Sequence, residues 1–181
     1  MNANIDITDV TIKTERLVLR PFTEADIDDF YEYAKVDGVG QMAGWAPHEN
    51  KEKSKIIIDD FINGKKTFAI VFDGKVIGSV GIEPYDEKDY PELQDKTGRE
   101  IGYVLSKEYW GRGITAEAVK AVIRYCFSVE NLDFLLCGYF SWNSQSKRVQ
   151  EKCGFSYLKT LKRKTRINTE EETIMNILYN E

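Results

Sequence analysis

One stretch limits the fold of this chain more than any other, because two strand-like segments enclose a glycine-containing loop and a helical segment. Residues 99–105 (REIGYVL) are predicted to form a strand, residues 114–128 a helix with one apolar side, and residues 134–140 (FLLCGYF) a strand covered on both faces. A strand–helix–strand unit of this kind joins two parallel strands by a crossover. The sheet is therefore expected to contain a parallel pair.

The segments around this unit predict antiparallel pairing. Residues 67–72 and 75–82 are apolar runs joined by Asp73-Gly74, a sequence that favours a tight β-hairpin. Further elements are predicted as follows: strands at 15–20, 156–166 and 173–179, and helices from a Thr23 cap to about Lys35, at 49–62 and at 144–152. The whole predicts a single-domain α/β (α+β) fold over residues 1–181, with a mixed, mostly antiparallel central sheet and helices on both faces.

The composition places the chain among ordinary globular proteins. It has 181 residues, 42% of them hydrophobic and 30% charged, and a formal net charge of −5. An acidic chain argues against wholesale binding of nucleic acid or of a membrane surface. The first ten residues show no secretory signal, and no segment is long and apolar enough to span a bilayer, so we expect a cytoplasmic protein.

The cysteine and histidine content argues against a metal site. The three cysteines, Cys126, Cys137 and Cys153, are an odd number without C-x-x-C spacing, and His48 is the only histidine. This pattern favours buried apolar thiols in a reducing compartment over a disulfide framework or a zinc site. We therefore expect no metal cofactor.

The loop before the predicted helix (YWGRGITAEAV, residues 109–119) has the composition of an anion site. The first N–H groups of a helix lack internal partners, and glycines let the backbone approach a phosphate. A Walker A loop is excluded, because no lysine stands at the required position. The dinucleotide fingerprint G-x-G-x-x-A matches Gly111 and Gly113, but Asp133 begins the next strand, whereas that fingerprint needs an acidic residue at its end. A glycine turn without a ligand is the third interpretation.

Two longer segments carry a resemblance to a known family. The run EIGYVLSKEYWGRGITAEAV (residues 100–119) precedes SWNSQSKRVQEKCGF (residues 141–155), and TERLVLRPFTEAD and GWAPH stand nearer the start of the chain. Together they resemble the GNAT superfamily of acetyl-coenzyme A-dependent N-acetyltransferases, and within it the branch that includes ribosomal-protein alanine N-acetyltransferases. The resemblance covers nearly the whole chain. It departs from the superfamily loop Q/R-x-x-G-x-G/A at Thr115, which keeps the N–H group that a phosphate needs.

The resemblance implies a site for acetyl-coenzyme A (acetyl-CoA) between two splayed parallel strands. The pyrophosphate would bind the glycine loop, and a bulge in the preceding strand would turn free backbone groups toward the pantetheine arm and the thioester. Asn143 would hydrogen-bond the arm, although asparagine also suits a helix cap. The residues implied to bind the cofactor are Tyr103, Val104, Leu105, Trp110, Gly111, Arg112, Gly113, Ile114, Thr115, Asn143 and Ser146.

Catalytic roles are implied for one hydroxyl and two carboxylates. Ser146 would donate a proton to the leaving thiolate, with helix capping as its alternative role. Glu100 matches an acidic position that accepts the amine proton through water in some relatives. An ion pair at a strand end is the alternative role. Glu83 on the neighbouring strand is the second candidate base. His48 has a suitable pKa, but its flexible, proline-containing segment favours a solvated loop histidine.

The acceptor is expected to be a primary amine, either a protein N-terminus or a small molecule. Trp45, Tyr109 and Trp142 are candidates for the wall of its site, in a cleft lined by loops 38–48 and 83–97. Core packing is the alternative for Trp142.

Two other functions stay open at this point: a catalytically silent module that senses acetyl-CoA, and a dinucleotide-dependent oxidoreductase. The basic run at residues 161–166 alternates like an edge strand, and contact with the 3′-phosphate of the cofactor is the weaker interpretation. The chain is expected to work as a monomer or a homodimer.

Overall fold

The structure is a computed structural model that describes residues 1–180. The strands in chain order are β1 (Ile12–Lys13), β2 (Leu17–Pro21), β3 (Thr67–Phe72), β4 (Lys75–Glu83), β5 (Gly98–Leu105), β6 (Phe134–Phe140), β7 (Ser156–Lys164) and β8 (Glu170–Tyr179). The α-helices are α1 (Ile27–Ala34), α2 (Lys51–Gly64), α3 (Ile114–Ser128) and α4 (Ser144–Lys152).

The strands form one mixed sheet in the order β1-β2-β3-β4-β5-β6-β8-β7. Its only parallel neighbours within residues 1–180 are β5 and β6, which α3 connects, so the predicted crossover is confirmed. All other neighbours are antiparallel, including the hairpin of β3 and β4. The basic strand β7 lies at the edge, as its charge pattern predicts. β1 was not predicted, because a two-residue strand is too short to show a periodic pattern.

The parallel pair separates part of the way along its length. β5 and β6 pair from Gly98↔Phe134 to Ile101↔Cys137, and no pair follows, although the strands continue to Leu105 and Phe140. Each strand stays paired on its other side, β5 with β4 and β6 with β8. A gap therefore opens between the carboxyl ends of the two central strands, as the family resemblance implies.

The bulge expected in β5 is absent from its pairing with β4, and this prediction is corrected. The β4–β5 register runs without a shift along residues 100–105. The register shift lies instead between β3 and β4, after Ile70. Because β5 and β6 part, the free edge of β5 is exposed to the gap without any bulge.

Helices cover both faces of the sheet, as predicted. α3 and α4 cover one face, where Ile101, Tyr103 and Leu105 of β5 pack, and α1 and α2 cover the other, where Val104 packs. The side chains of β5 alternate between the two faces because successive residues of a strand point in opposite directions. The segment between β4 and β5 adds a third cluster against β6 and β8. None of the helices in residues 1–180 is long and apolar enough to cross a membrane.

Several boundaries differ from their predictions by two or three residues: β2 starts at Leu17 and β7 ends at Lys164, and two other differences have a local reason. α2 continues through Gly64, and the left-handed residue that ends it is Lys65, with φ of 52°. β8 begins at Glu170, three residues earlier than predicted, because glutamates 170–172 stand opposite the basic residues 162–164 of β7. Opposite charges across an antiparallel pair favour strand extension. The segment at residues 38–48, predicted as irregular, contains a 3-10 helix at Gly40–Ala43.

Candidate functional site

The loop before α3 presents unpaired backbone N–H groups. Gly111 and Gly113 have φ values of 76° and 73°, in the left-handed region that only glycine enters at little cost. This backbone turns the chain into α3, and the N–H groups of residues 111–116 have no hydrogen-bond acceptor within residues 1–180. A Cβ atom at Gly111 would meet no atom within 4 Å, so the loop faces open space. Unpaired amides at the positive end of a helix bind anions.

Arg16 holds this loop in place, and sequence analysis missed it. Its Nη1 donates to the carbonyl oxygen of Arg112 at 3.0 Å, and its Nε forms a 2.7 Å ion pair with Oε2 of Glu117 in the first turn of α3. Arg16 and Glu117 are 101 residues apart, so no local pattern could have connected them.

A cavity of about 350 Å³ lies between this loop, the end of β5 and α4, and we call it the α3–α4 cavity. Its wall contains every residue expected to bind the cofactor except Arg112, whose guanidinium lies over the ring of Tyr109. Arg148 and Lys152 of α4 also line the cavity. These two basic residues, which sequence analysis did not select, face the cavity, whereas the run at 161–166 lies on β7 and the turn after it.

The backbone of β5 alternates between β4 and the gap. The N–H of Ser106 donates to the carbonyl oxygen of Ile77 in β4 at 2.7 Å. In an antiparallel ladder this places the N–H and C=O groups of Val104 toward β4 and those of Tyr103 and Leu105 toward the gap. The indole Nε1 of Trp110 donates to the Leu105 carbonyl oxygen at 2.8 Å. The gap is therefore lined by backbone groups of Tyr103 and Leu105, the two neighbours of Val104.

Asn143 caps α4. Its Oδ1 accepts from the N–H of Ser146 at 3.1 Å, and its Nδ2 donates to the carbonyl oxygen of Met42 at 3.3 Å. Both polar atoms of this buried side chain have protein partners, so Asn143 fixes the start of α4 and ties the 3-10 helix at Gly40–Ala43 to it. The capping interpretation therefore applies to Asn143 and not to the Ser146 hydroxyl.

The Ser146 hydroxyl has two side-chain hydrogen-bond partners, and the Tyr103 phenol can also donate to the Ser146 carbonyl oxygen at 3.2 Å. The Tyr103 hydroxyl lies 2.7 Å from Ser146 Oγ, and Gln150 Nε2, 3.5 Å away, is fixed by Gly138 and Asn176. Burial raises the pKa of Tyr103 well above its usual value, so the phenol stays protonated. If Tyr103 and Gln150 both donate to Oγ, the serine's own proton has to point elsewhere. Ser146 lines the α3–α4 cavity, which is where that proton can go.

The two candidate bases are both held in ion pairs. Glu100 accepts from Arg163 through both carboxylate oxygens, at 2.7 and 3.0 Å. Glu83 forms a 2.6 Å ion pair with Lys66 and lines none of the three cavities described in this section. Taking a proton would cost either carboxylate its ion pair, which favours structural roles for both.

A second cavity of about 560 Å³ lies on the other face of the sheet, between residues 45–50 and α2, and we call it the α2 cavity. It contains Trp45 and His48. The imidazole is 7% exposed, and its Nδ1 lies 2.8 Å from Ser54 Oγ. The expectation of a solvated loop histidine is therefore wrong, because residues 45–48 fold back onto α1 and α2. Burial, with the charge of Lys53, lowers the pKa of His48.

A third cavity of about 290 Å³ lies under the β7–β8 hairpin, and we call it the hairpin cavity. It contains Glu100 and shares Tyr103 and Ser146 with the α3–α4 cavity. The three aromatic residues expected to wall the acceptor site do not meet in one place. Trp45 lines the α2 cavity and Tyr109 the α3–α4 cavity. Trp142 is 53% exposed, and its Nε1 donates to Glu171.

Within residues 1–180, no three His, Cys, Asp or Glu side chains are grouped closely enough to hold a metal ion.

Comparison with known proteins agrees with this arrangement. The acetyltransferase (GNAT) domain matches residues 16–156. The uncharacterized N-acetyltransferase YoaA of Bacillus subtilis (strain 168) is 31% identical over 151 residues, 80% of this chain and 81% of that protein.

Two solved structures share the fold. The ribosomal-protein-S5-alanine acetyltransferase from Vibrio fischeri has a TM-score of 0.71 and 23% identity, covering 96% of this chain and 98% of that chain. The microcin C7 self-immunity acetyltransferase MccE, in complex with acetyl-CoA and AMP, has a TM-score of 0.76 and 18% identity, covering 92% and 93%. The family resemblance drawn from the sequence is thereby confirmed: this chain belongs to the GNAT family of acetyl-CoA-dependent N-acetyltransferases.

Proposed function

We propose that the protein moves the acetyl group of acetyl-CoA onto a primary amine by direct attack, with acetyl-CoA held in the α3–α4 cavity. One observation carries this proposal. The unpaired N–H groups of residues 111–116 lie beside a cavity that also reaches the gap between β5 and β6. A ligand with anionic phosphates and a narrow polar arm suits such a site, because the phosphates can bind the helix N-terminus while the arm lies along free strand backbone.

The residues present fit that ligand. The amides of residues 111–115 would bind the pyrophosphate, and Arg148 and Lys152 would add positive charge at the α4 side of the cavity. The backbone groups of Tyr103 and Leu105 that face the gap would hydrogen-bond the arm. Asn143, whose amide is engaged in the cap, would shape this end of the cavity more than it would bind the arm directly.

Acetyl-CoA supplies the acyl thioester. The reaction forms a bond between the acetyl carbonyl carbon and the amine nitrogen, and it breaks the carbon–sulfur bond. A protonated amine must first lose one proton to regain its lone pair, and the leaving sulfur must gain one. Ser146 is the proposed donor to the sulfur, and the second proton that the nitrogen releases restores the serine hydroxyl.

Direct attack is favoured because the chain offers no suitable thiol for an acyl-enzyme. The three cysteines are buried, and none lines the α3–α4 cavity. Burial raises the pKa of Cys126 to about 12 and that of Cys153 to about 11, and it raises the pKa of Cys137 as well. A nucleophilic cysteine needs the opposite, an accessible thiol whose pKa is lowered.

The proposed partners are acetyl-CoA and an amine acceptor, with the chain acting as a monomer or a homodimer. Similarity to a ribosomal-protein acetyltransferase fold makes a protein N-terminus one acceptor to test, beside small amines.

Calorimetry and a transfer assay test the proposal. We expect acetyl-CoA to bind and NAD not to compete with it. We then expect free coenzyme A thiol to appear when the mixture contains a suitable amine, drawn from a peptide with a free N-terminus, spermidine, an amino acid and an aminoglycoside. Binding without transfer to any of these amines would favour a silent module, and NAD binding that coenzyme A does not displace would favour an oxidoreductase.

A further inference from the structure

His48 lies in the wall of the α2 cavity with one ring nitrogen held and the other open. Nδ1 is 2.8 Å from Ser54 Oγ. Nε2 has no hydrogen-bond partner within residues 1–180. Every fully buried nitrogen or oxygen of these side chains has a partner except the Tyr33 hydroxyl, so Nε2 is not fully buried and keeps some accessible surface. The ring packs edge-on to Phe30 and tilted against Trp45, with centroid distances of 5.2 Å in both cases. These contacts from α1, α2 and the intervening loop fix the orientation of the imidazole.

The α2 cavity meets the cofactor site at β5. Val104 lines both the α2 cavity and the α3–α4 cavity. Ser79 of β4, which stands opposite Val104 in the register, also lines the α2 cavity. A molecule in the α2 cavity can therefore approach Val104, whose neighbours Tyr103 and Leu105 turn backbone groups toward the gap.

We propose that the α2 cavity receives the acceptor amine and that His48 Nε2 takes the proton that the amine must lose before attack. This inference rests on the proposed acetyl transfer. The nitrogen–hydrogen bond of the ammonium breaks, its electron pair stays on nitrogen, and the proton forms the Nε2–H bond of an imidazolium. The imidazolium then releases the proton to solvent, so that His48 is regenerated for the next turnover.

His48 is better placed for this role than either carboxylate. Glu100 and Glu83 would each have to give up an arginine or lysine partner to accept a proton. His48 Nε2 has no such partner to lose. The proposal uses the tautomer in which Nδ1 carries the proton and donates to Ser54 Oγ, because the lone pair of Nε2 is then free to act as the base.

The charged groups around His48 balance one another, so the α2 cavity carries no net charge that would repel an ammonium ion. Glu49 and Glu52 line the α2 cavity, and neither forms an ion pair within residues 1–180. Lys53 and Arg166 line it as well, and Lys53 helps to keep His48 neutral. The lining residues from α1 and β4 carry no charge. An imidazole that is neutral near pH 7 is ready to accept a proton, and Glu49 and Glu52 offset the repulsion that Lys53 and Arg166 would exert on the incoming amine.

The first experiment compares His48→Asn with the wild type. Asparagine keeps a hydrogen-bonding atom near the position of Nδ1 but removes Nε2. The acceptors are a tripeptide amide with a free α-amine and spermidine. We expect unchanged affinity for acetyl-CoA and a transfer rate at pH 7 lower by about 10²-fold. The deficit should shrink above about pH 8, where an α-amine loses its proton unaided. A loss of rate that is equal at every pH would assign His48 a structural role and overturn the proposal.

Glu100→Gln is the comparison variant. We expect it to keep the wild-type dependence of rate on pH. If instead the loss confined to low pH appears in Glu100→Gln and not in His48→Asn, the base is Glu100 and the amine enters through the hairpin cavity.

A second measurement stands apart from activity. Because His48 is the only histidine, the untagged protein labelled with ¹⁵N-histidine gives a single imidazole in an NMR spectrum. We expect the Nε2 signal to move when the tripeptide amide or spermidine is added to the complex with coenzyme A. If the wild type acetylates neither amine, the proposed function fails for those acceptors. The spectrum then tests only whether the α2 cavity binds an amine. A shift supports an amine site there, and an unmoved signal overturns it.

Discussion

Two hydroxyl groups, one on β5 and one in the first turn of α4, show how single residues set the chemistry of the site. Ser146 alone would be an ordinary serine in the first turn of a helix. Tyr103 approaches it from the strand, and burial raises the pKa of the phenol, so that Tyr103 stays protonated. When the phenol donates to Ser146 Oγ, the serine proton is free to point into the cavity in which the thioester is proposed to lie.

Substituting each hydroxyl separately tests this pair. In Ser146→Ala we expect turnover to fall about 10²-fold, since the sulfur loses its donor. In Tyr103→Phe we expect a smaller fall, about 10-fold, because the serine remains but is no longer oriented. KM for acetyl-CoA should change little in both variants. Steady-state kinetics on the two variants measures this, and wild-type turnover in Ser146→Ala would remove the serine from the mechanism.

Substitution of Glu100 tests whether its carboxylate has a structural or a catalytic role. Glu100→Gln breaks the bidentate contact with Arg163, and we expect unfolding free energy to drop by about 2 kcal/mol, since a partly buried guanidinium loses its charged partner. The pH dependence of transfer should be unchanged. Thermal melting and a pH–rate profile on this variant separate the structural role from the catalytic one. If Glu100 were the base, its substitution would remove the low-pH limb of the profile and change the melting temperature little.

The loop-and-helix element that opens α3 supports the cofactor proposal most directly. Gly113 has a positive φ, is the N-cap residue of α3, and lies within the run of unpaired N–H groups at residues 111–116. Alanine at Gly113 should cost about 1 kcal/mol of stability through backbone strain, and it should also weaken coenzyme A binding as the loop shifts.

Gly74 provides a matched control for this variant. Its φ is 78°, and a Cβ there would meet no atom within 4 Å, but it lies in the β3–β4 hairpin and lines none of the three cavities. We expect Gly74→Ala to lose similar stability and to keep its affinity for coenzyme A. Melting curves and calorimetry on both variants measure the two effects. Equal affinities would contradict the assignment of the pyrophosphate to this loop.

Elements with local signals were predictable from the sequence. The hairpin follows from Asp73-Gly74, and the crossover follows from a strand, a glycine loop and a helix in succession. The absence of a bulge in β5 was not predictable from the sequence. It depends on β5 staying paired with β4 after its pairing with β6 has ended. The expected bulge came from family resemblance, and the separation of the strands makes it unnecessary.

At the scale of the whole molecule, the residues that complete the site come from distant parts of the chain. Tyr103 and Ser146 are 43 residues apart, and Arg16 and Glu117 are 101 apart. Composition and periodicity carry no record of such pairs. The position of His48 depends on how residues 45–48 fold onto α1 and α2, so its burial was missed. Most of the residues predicted to bind the cofactor stand in one segment, 103–115, and their grouping around one cavity could therefore be predicted.

The burial of all three cysteines gives a prediction for the folded molecule. Their exposed fractions are 0% for Cys126, 1% for Cys137 and 8% for Cys153, and burial raises the pKa of each thiol. Because the thiolate is the reactive form, we expect the native protein to react slowly with a disulfide reagent and the unfolded protein to react fully. Rapid reaction of a native thiol would contradict this core and would also interfere with any assay of thiol release.

The fate of a labelled acetyl group distinguishes direct transfer to an amine from every other route. Acetyl-CoA carrying ¹⁴C in its acetyl group is incubated with the protein and the amine panel, and protein, amine product and free acetate are then separated. We predict that label appears in an N-acetylated amine, that its formation requires the amine, and that no label remains covalently on the protein. Label held on the protein before transfer, or released only as acetate, would contradict direct acetyl transfer to an amine.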